Sequence, residues 1–551
     1  MQKNLVLAVV LSSVVYIFWY SFMEKRMPPR AASSVSSSSY PQTAQSSVAD
    51  SARGPRQASV TGGAVPKAFG PQNGQNPAAA NTSSPQPPSQ QASLQPTSGE
   101  LPADWKTKAA RVKLGKAEYF IHPAGASIKS MVYEGPVAPI ELVLSPEDGL
   151  FSSFEGLTFS IKNKNAQNPE FSAKTKQGVT ISKKFFLNGP DGINSIEITA
   201  SNASSEPAAL EPWTLSIGPG LGTAPSEEKE NPGLTYAQYT FQEPGKKHPT
   251  IKKLKEDVRT EPWVWAGVDN RYFIAAVIGG VFDRDRLLYS AVEIKGNKVP
   301  RLAIPFGETK LAPGAVKTWK LDFYAGPKDY ALLKSLGSGL DRAVDFGFFA
   351  PLAKLADSSL GYFYRLTGNY GVAIIILSVL IQIMLSPLSI KSYKSMALMK
   401  KIQPEMQEIQ KRYKADPKRM NQEVMDLYKR HGTNPLGGCL PMLLQIPVFF
   451  ALFTALRNSW NLHGAPFIFW IKDLSSKDPY YVLPLVMGAI MFFQQTLNPQ
   501  AGDPAQAKMM KWMPVIFTFM FLSFPAGLVM YWLINSMWGF AQTMYLQKKM
   551  A

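Results

Sequence analysis

Three polar residues interrupt an otherwise apolar stretch between residues 371 and 389. Ser378, Gln382 and Ser386 are spaced four residues apart, so they share one face of a helix. In hydrocarbon such groups need a partner or water, because an unmatched amide costs several kcal/mol. The chemistry open to them is hydrogen bonding and hydration. The spacing therefore predicts either a bond between helices or the lining of a polar cavity.

The helix that carries these residues is predicted to cross a membrane. Val372–Leu385 contains no charged residue, and the stretch is long enough to cross most of a bilayer at about 1.5 Å per residue. One face should then contact lipid and the other a wetter environment. A hydrogen bond between helices with no further function is the alternative interpretation.

The composition limits the possible classes of protein. The chain has 551 residues, a formal net charge of +18 and one cysteine, Cys439. No intramolecular disulfide is possible, and the scattered histidines form no metal-ligand spacing. No Walker-type motif occurs, so ATP is not expected, and no cofactor is predicted. The charge alone would suggest nucleic acid, but the densest basic run lies between two apolar segments.

The first hundred residues predict an anchor followed by a tether. Leu5–Met23 is an apolar run of 19 residues with aromatic residues near its end, and charged residues follow it directly. We predict an uncleaved transmembrane anchor in residues 1–26, with a cleaved signal peptide as the alternative. Residues 27–100 are rich in Ser, Pro, Gln, Ala and Gly, which predicts a disordered linker.

Residues 101–328 predict an all-β domain. Short β-rich runs, such as Lys113–Ile121 and Lys317–Tyr324, are separated by clusters of Gly, Pro, Asn and Asp. This pattern indicates a large antiparallel β-sandwich. A glycosidase on such a domain would need two facing carboxylates. Nothing in the sequence pairs two of them, so a binding or scaffolding domain is favoured.

Residues 329–368 predict an amphipathic helical region. Apolar and charged residues are interleaved between Val344 and Asp357. The segment is too charged to span a bilayer but fits a helix lying in the interface plane. A helix packed on the sandwich is the alternative.

A basic helical hairpin is predicted at residues 391–431. Eleven Lys and Arg residues minus five acidic residues give this segment a charge of +6. Apolar residues from Met399 to Tyr413 follow a coiled-coil spacing, and Asp416-Pro417 fits the start of a second helix. The cations predicted to act at this hairpin are Lys400, Lys401, Lys411, Arg412, Lys418 and Arg419. A solvated loop that only fixes topology is the alternative.

Four further apolar segments predict spans, and they are short and interrupted by polar residues or proline. They are Cys439–Leu456, Tyr481–Leu497, Met509–Ser523 and Leu528–Tyr545. With the anchor there are six predicted spans, five of them within residues 369–551. The positive-inside rule makes the hairpin cytoplasmic, the β domain external and both termini internal. Lys25, Arg26 and Arg30, which follow the first span, are a weaker contrary signal.

Five ordered motifs are specific enough to compare with known families. They are Gly371–Leu388, Asn434–Pro447, Asp478–Gly488, Met513–Phe517 and Phe524–Tyr531. Together they resemble the YidC membrane insertase family in its Gram-negative form. The resemblance implies a polytopic α-helical protein of the bacterial inner membrane, with six transmembrane helices, a five-helix insertase core and a periplasmic β-sandwich.

The resemblance also implies a function without covalent catalysis. A hydrophilic groove, open to the cytoplasm and to lipid, would insert and help to fold client membrane proteins, alone or with the Sec translocon. The predicted groove residues are Ser378, Gln382, Gln445, Tyr531, Trp532 and Asn535. Of these, Ser378, Gln445, Tyr531 and Trp532 are carried over from the family by position. The family usually has an arginine where this chain has Gln382, which can hydrate a groove but cannot attract an acidic client segment. The predicted partners are nascent or newly made membrane proteins and the lipid bilayer, with no nucleic-acid substrate. Any contact with the ribosome would fall to the hairpin.

Two other functions stay open at this level. A transporter or channel would usually carry charged residues inside the membrane, and Val372–Leu385 and Leu440–Leu456 contain none. A membrane-tethered carbohydrate enzyme could be built on the sandwich. Deletion of Leu101–Ala325 would abolish such an enzyme but should largely spare an insertase.

Overall fold

The computed structural model describes residues 101–550, apart from residues 155, 165, 232, 247, 260–261, 281, 433–439 and 498–503. The predicted anchor (1–26), the predicted linker (27–100) and Cys439 lie outside the described residues. Within them, a β domain is followed by a helical part.

Twenty strands form among the described residues. They are β1 (Ala110–Leu114), β2 (Ala117–His122), β3 (Ser127–Glu134), β4 (Pro139–Glu141), β5 (Ser152–Ser153), β6 (Ser160–Ile161), β7 (Glu170–Lys174), β8 (Thr180–Phe186), β9 (Asn194–Ser201), β10 (Ala208–Leu210), β11 (Trp213–Ile217), β12 (Tyr236–Phe241), β13 (Thr250–Leu254), β14 (Val258–Arg259), β15 (Trp263–Asp269), β16 (Phe273–Gly280), β17 (Arg286–Ile294), β18 (Asn297–Phe306), β19 (Thr309–Leu311) and β20 (Val316–Pro327).

All strand pairs in the described part of the chain are antiparallel. The largest sheet has nine strands in the order β13-β12-β15-β16-β20-β9-β8-β7-β6. A five-stranded sheet (β14-β17-β18-β11-β5), a four-stranded sheet (β1-β2-β3-β4) and the pair β10-β19 complete the domain. Buried residues alternate along β8 and β9, so one face of the large sheet covers the core. The predicted all-β domain is confirmed.

One predicted strand is wrong. Lys113–Ile121 contains the end of β1, a turn and most of β2. Gly115 has a φ of 55°, and Leu114 pairs with Ala117. A two-residue loop with a positive φ is typical of a tight hairpin, so the chain reverses within the predicted strand.

The core of the β domain includes a tryptophan from the helical part. Trp460 is 8% exposed and belongs to the same apolar cluster as the sandwich residues. The centroid of its ring lies 5.7 Å from the centroid of Tyr133, 5.6 Å from that of Tyr272 and 4.8 Å from that of Phe273. The two parts of the chain therefore share one apolar core.

Eleven α-helices form among the described residues. They are α1 (Trp105–Lys108), α2 (Pro225–Glu230), α3 (Tyr330–Leu336), α4 (Ala350–Thr367), α5 (Tyr370–Lys401), α6 (Gln403–Arg412), α7 (Pro417–Arg430), α8 (Leu440–Asn458), α9 (Val482–Leu497), α10 (Pro504–Phe521) and α11 (Ala526–Met550).

The helix α5 is the longest of these, with 32 residues. Asn369 begins it, because its side-chain oxygen accepts hydrogen bonds from the backbone N–H groups of Gly371 at 2.8 Å and Val372 at 3.2 Å. Among the described residues, α5 alone is both long and apolar enough to cross a membrane. The apolar segments Leu443–Asn458, Val482–Leu497 and Lys511–Phe521 are shorter. The count of six spans therefore stays a prediction.

The hairpin begins later than predicted. Residues 391–401 continue α5 without interruption, and the reversal of direction occurs between α6 and α7. Ile402, Met406 and Leu427 form a small buried cluster between these two helices. Asp416 begins α7 as predicted, since its carboxylate accepts a hydrogen bond from the backbone N–H of Arg419 at 3.1 Å.

The region predicted as helical between residues 329 and 368 contains two α-helices, a short 3-10 helix (Leu340–Ala343) and a break. The helix α3 ends at Leu336, and residues 344–349 are not helical. The helix α4 packs against α5 and α8, so it contacts the helical part instead of lying on the sandwich. It buries Ala353, Ala356 and Leu360, whereas Leu355 is exposed.

Candidate functional site

The polar residues of α5 face another helix. Ser378 is fully buried, and its hydroxyl donates to the carbonyl of Ile374 at 2.6 Å. One turn later, Gln382 is buried and has no hydrogen-bond partner among the described residues. After a further turn, the hydroxyl oxygen of Ser386 accepts a hydrogen bond from Nε1 of Trp538 on α11 at 3.1 Å.

The helices α5 and α11 run in the same direction. A Cβ on Gly527 would lie 3.2 Å from Cδ1 of Ile374, and Nε2 of Gln542 donates to the carbonyl of Ser386 at 3.4 Å. Gln382 lies eight residues after Ile374, and Asn535 lies eight residues after Gly527. These two amides therefore lie at the same level of the paired helices.

We call this set of residues the polar stripe. Its members are Ser378, Gln382 and Ser386 on α5, Gln445 on α8, and Tyr531, Asn535, Trp538 and Gln542 on α11. Nε2 of Gln445 donates to the Tyr531 hydroxyl at 3.0 Å, which joins α8 to α11. Tyr531 is 1% exposed. The stripe thus links three helices through side-chain polar groups.

Asn535, like Gln382, differs from the bonded members of the stripe. Its Oδ1 and Nδ2 are both buried, and neither makes a hydrogen bond within the described residues. A buried amide without partners is costly, because it has lost its hydrogen bonds to water without replacement. Together with Gln382, this side chain leaves the centre of the stripe with unused hydrogen-bonding capacity.

Trp532 differs from the other predicted groove residues. Its ring lies in an aromatic cluster with Phe449, Phe517 and Phe521, at centroid distances of 5.0, 6.3 and 5.3 Å. These residues come from α8, α10 and α11. The indole therefore packs three helices together.

Sequence reasoning missed Trp538 and Gln542. Tyr531, Asn535, Trp538 and Gln542 are separated by steps of four, three and four residues, which place them on one face of α11. This spacing was the available signal. Gln494 of α9 also approaches this helix, because a Cβ on Gly539 would meet its Nε2 at 2.5 Å.

A cavity of about 450 Å³ lies at the C-terminal ends of α9 and α11. Its lining residues are Phe493, Thr496, Leu497, Phe540, Met544, Gln547 and Lys548. None of the six predicted groove residues lines it. The lining is mainly apolar, and it includes one cationic side chain.

The six predicted hairpin cations are all exposed. They are Lys400, Lys401, Lys411, Arg412, Lys418 and Arg419. In the part of the chain that the structure describes, none of them forms an ion pair with a carboxylate. The guanidinium of Arg419 lies 5.2 Å from the ring centroid of Tyr413. The hairpin therefore presents its cations to the solvent.

Two family models and several relatives match this chain. The model for the 60Kd inner membrane protein matches residues 362–551, and the model for the YidC periplasmic domain matches residues 137–355. The membrane protein insertase YidC of Endomicrobium trichonymphae is 42% identical over 426 residues, which cover 74% of this chain and 79% of the relative. The protein of that name from Geobacter metallireducens is 40% identical over 410 residues, with coverages of 74% and 75%.

This chain belongs to the YidC family of membrane protein insertases. The family resemblance predicted from the motifs is confirmed, and so is the predicted combination of a β-rich periplasmic domain with a helical membrane part. As a member of the YidC family, the chain is a bacterial inner-membrane protein and not a carbohydrate enzyme.

Solved structures align more loosely. A crystal structure of an active YidC insertase covers 79% of this chain and 94% of its own, with 17% identity and a TM-score of 0.36. A putative aldose 1-epimerase from Escherichia coli covers 40% of this chain and 99% of its own, with 10% identity and a TM-score of 0.28. Alignments at these TM-scores decide nothing about the function of this YidC family member.

Proposed function

We propose that this YidC family member inserts newly made membrane proteins by admitting water to the polar stripe. The observation that supports this is the pair of amides at one level of α5 and α11, Gln382 and Asn535, for which the described part of the chain supplies no hydrogen bond. Within a bilayer an unmatched amide costs several kcal/mol. Water bound between such groups removes that cost, because it can bond several of them at once.

The stripe lowers the barrier that a client faces. A polar segment that crosses hydrocarbon must lose the hydration of its charges and peptide groups. A hydrated stripe that reaches part-way into the membrane shortens the dry path. The apolar helix of the client then enters the lipid, and burial of its apolar surface drives the process.

Short helices assist this mechanism. The helices α8 and α9 have 19 and 16 residues, which correspond to about 28 and about 24 Å at 1.5 Å per residue. The hydrocarbon core of a bilayer is about 30 Å thick. The bilayer around these helices therefore thins, at a modest cost per Å of mismatch.

The orientation and the other partners also belong to this proposal. The hairpin and both termini are cytoplasmic, because the hairpin carries the largest excess of positive charge in a short loop. Its exposed cations contact the ribosome, and the Sec translocon cooperates in the insertion of some clients. Co-sedimentation with ribosomes should fall when Lys400, Lys401, Lys411 and Arg412 are replaced by glutamine, and unchanged binding would contradict the hairpin contact.

The mechanism is tested by reconstitution of the pure protein into liposomes with a single-span client and no nucleotide. The double variant Gln382→Leu, Asn535→Leu should insert the client at least tenfold more slowly, which corresponds to about 1.4 kcal/mol in the barrier. Gln495→Leu on α9 removes an amide outside the stripe and is the matched control. Unchanged insertion by the double variant would contradict the proposal.

Hydration is measured separately, with the native cysteine removed as Cys439→Ser. A cysteine at position 382 should react with a water-soluble maleimide in intact proteoliposomes, whereas one at the exposed lipid-facing position 519 should not. Equal protection of both positions would contradict a hydrated stripe.

A further inference from the structure

The loop between α8 and α9 exposes a contiguous group of apolar side chains. We call residues 463–481 the aromatic loop. Phe469 is 77% exposed and Tyr480 is 68% exposed. The ring of Trp470 lies between them, stacked on Phe469 at 6.0 Å and edge-on to Tyr480 at 6.4 Å. Ile468 is also exposed. A contiguous apolar surface of this kind indicates a binding partner.

The aromatic loop is held in one conformation by two carboxylates. Asp473 accepts hydrogen bonds from the backbone of Gly464 at 2.9 Å and from the backbone of Ser475 at 2.8 Å. Asp478 accepts from Nε1 of Trp470 at 3.0 Å and from the backbone of Leu483 at 2.7 Å. The aromatic side chains are therefore fixed in their outward positions by the loop itself.

Two of the outward residues adopt an unfavourable backbone conformation. Phe469 has a φ of 52° and Tyr481 has a φ of 57°. Bulky residues rarely adopt positive φ values, and such strain persists only where the surrounding structure enforces it. Glycine would relieve the strain at position 469. A large aromatic residue there instead presents its ring to the surroundings.

The aromatic loop lies beside the first turn of α5. The carbonyl of Phe467 accepts a hydrogen bond from Nδ2 of Asn369 at 3.2 Å. A Cβ on Gly371 would lie 2.1 Å from the ring of Phe467, so the loop touches the helix backbone. Tyr370, the first residue of α5, stacks on Tyr364 at 4.0 Å. The loop is therefore level with the end of the helix that enters the membrane.

We propose that the aromatic loop is a lipid-binding surface that inserts Phe469 and Tyr480 into one leaflet of the bilayer. This inference rests on the membrane position of α5 in the proposed function. The occupant is the boundary between phospholipid headgroups and acyl chains, in the leaflet on the side of the β domain. Tyr480, which has one apolar and one polar end, favours that boundary, and the wholly apolar ring of Phe469 favours its acyl-chain side.

The insertion sets the depth of the short helices. The aromatic loop joins α8 directly to α9, which has only 16 residues. When the loop is held at the outer boundary, the opposite end of α9 stops about 6 Å short of the headgroup boundary of the other leaflet, because about 24 Å of helix meets about 30 Å of hydrocarbon. The thinning of the bilayer is then concentrated on the side of the hairpin.

The test measures depth in proteoliposomes of the full chain in a Cys439→Ser background. A spin label at Phe469→Cys is compared with labels at Val316→Cys, at the end of β20 remote from Pro327, and at Leu380→Cys, about 15 Å along α5 from Tyr370. Val316 is 64% exposed and Leu380 is 48% exposed. The measured quantity is the ratio of the label's collision rate with oxygen to its collision rate with a water-soluble nickel complex. This ratio should lie between those of the two controls at position 469, as expected for the boundary depth.

Two outcomes would overturn the proposal. A label at position 469 with the same nickel accessibility as position 316 lies in water. A label shielded from both reagents is covered by protein, either a second copy of the chain or another part of it. The depth measurement uses no client. A label at position 469 that lies in water would therefore contradict the lipid contact without contradicting client insertion, and failed insertion would not contradict the lipid contact.

A second variant separates folding from lipid contact. Phe469→Gly removes the ring and suits the positive φ, so the loop keeps its fold. A label at Tyr480→Cys should then move toward water, with a higher nickel accessibility than in the Phe469 background. An unchanged depth at position 480 would contradict a role for the Phe469 ring.

Discussion

The guanidinium of Arg271 donates two hydrogen bonds to the carbonyl of Arg457, at 2.8 and 2.5 Å, and one to the carboxylate of Glu227 at 2.6 Å. Arg271 lies between β15 and β16, and Arg457 lies in the last turn of α8. Carbonyls in a last helical turn lack intrahelical donors, and the helix dipole favours a cation there. The periplasmic domain therefore caps the helix that carries Gln445.

Removal of this cap should destabilise the protein strongly. Arg271→Ala leaves the buried carboxylate of Glu227 without its cation, which costs about 3–5 kcal/mol of unfolding free energy. Arg111→Ala breaks an ion pair at the surface, between Glu118 and an Arg111 side chain that is 68% exposed. This variant should lose less than about 1 kcal/mol of unfolding free energy. Denaturant unfolding in detergent compares the two variants. Equal losses would contradict the capping role.

The contact between Gln445 and Tyr531 should appear as a coupling energy. Gln445→Ala, Tyr531→Phe and the double variant form a cycle, and the interaction should contribute about 0.5–1.5 kcal/mol to unfolding. A second cycle with Tyr531→Phe and the remote Thr199→Ala provides the control and should be additive. Zero coupling in the first cycle would mean that the bond does not stabilise the fold.

The hairpin should open independently of the membrane helices. Its buried cluster contains Ile402, Met406 and Leu427. Leu427→Ala should therefore lower the local opening free energy by about 2–5 kcal/mol. Hydrogen exchange should accelerate in α6 and α7 but not in residues 371–389. Met425→Ala, at an exposed position of the same helix, is the control and should change exchange little.

Asp357 should make stability depend on pH. Burial, and then the charge of Asp329, raise the pKa of Asp357 from 3.8 to about 7. The folded state therefore binds the proton more tightly than the unfolded state, and stability falls as pH rises through this interval. Asp357→Asn removes the ionisation, at about 1.4 kcal/mol per pKa unit. The variant should exceed the natural protein in unfolding free energy at pH 8 and match it below pH 4. Parallel stability curves would contradict the shift.

The polar stripe shows what spacing can predict. Ser378, Gln382 and Ser386 share one face of α5, as their four-residue spacing predicts. The facing residues Trp538 and Gln542 have a similar periodicity. Pairing these two residues with the polar face of α5 requires the register between α5 and α11. That register is set by contacts between residues that are far apart in the sequence. Local spacing therefore predicts the face but not the partner.

Other features have no local signal. A tryptophan that follows an apolar helix is typical of an interfacial belt, so nothing near Trp460 indicates that it fills the core of the sandwich. The turn at Gly115 lies within a run of strand-forming residues and is decided by pairing. The charge pattern predicts too early a start for the hairpin, because the charge changes at Lys391 while the helix continues to Lys401.

Trp460 also fixes an order of events during biosynthesis. The last strand of the sandwich ends at Pro327, but the ring that packs against Tyr133, Tyr272 and Phe273 is translated only after α5, the hairpin and α8. A chain that grows from its N terminus therefore carries an incomplete outer domain while these helices are being placed. The β domain leaves the ribosome before the helical part, yet its core is completed only when the segment that follows α8 arrives, with α9, α10 and α11 still to be made.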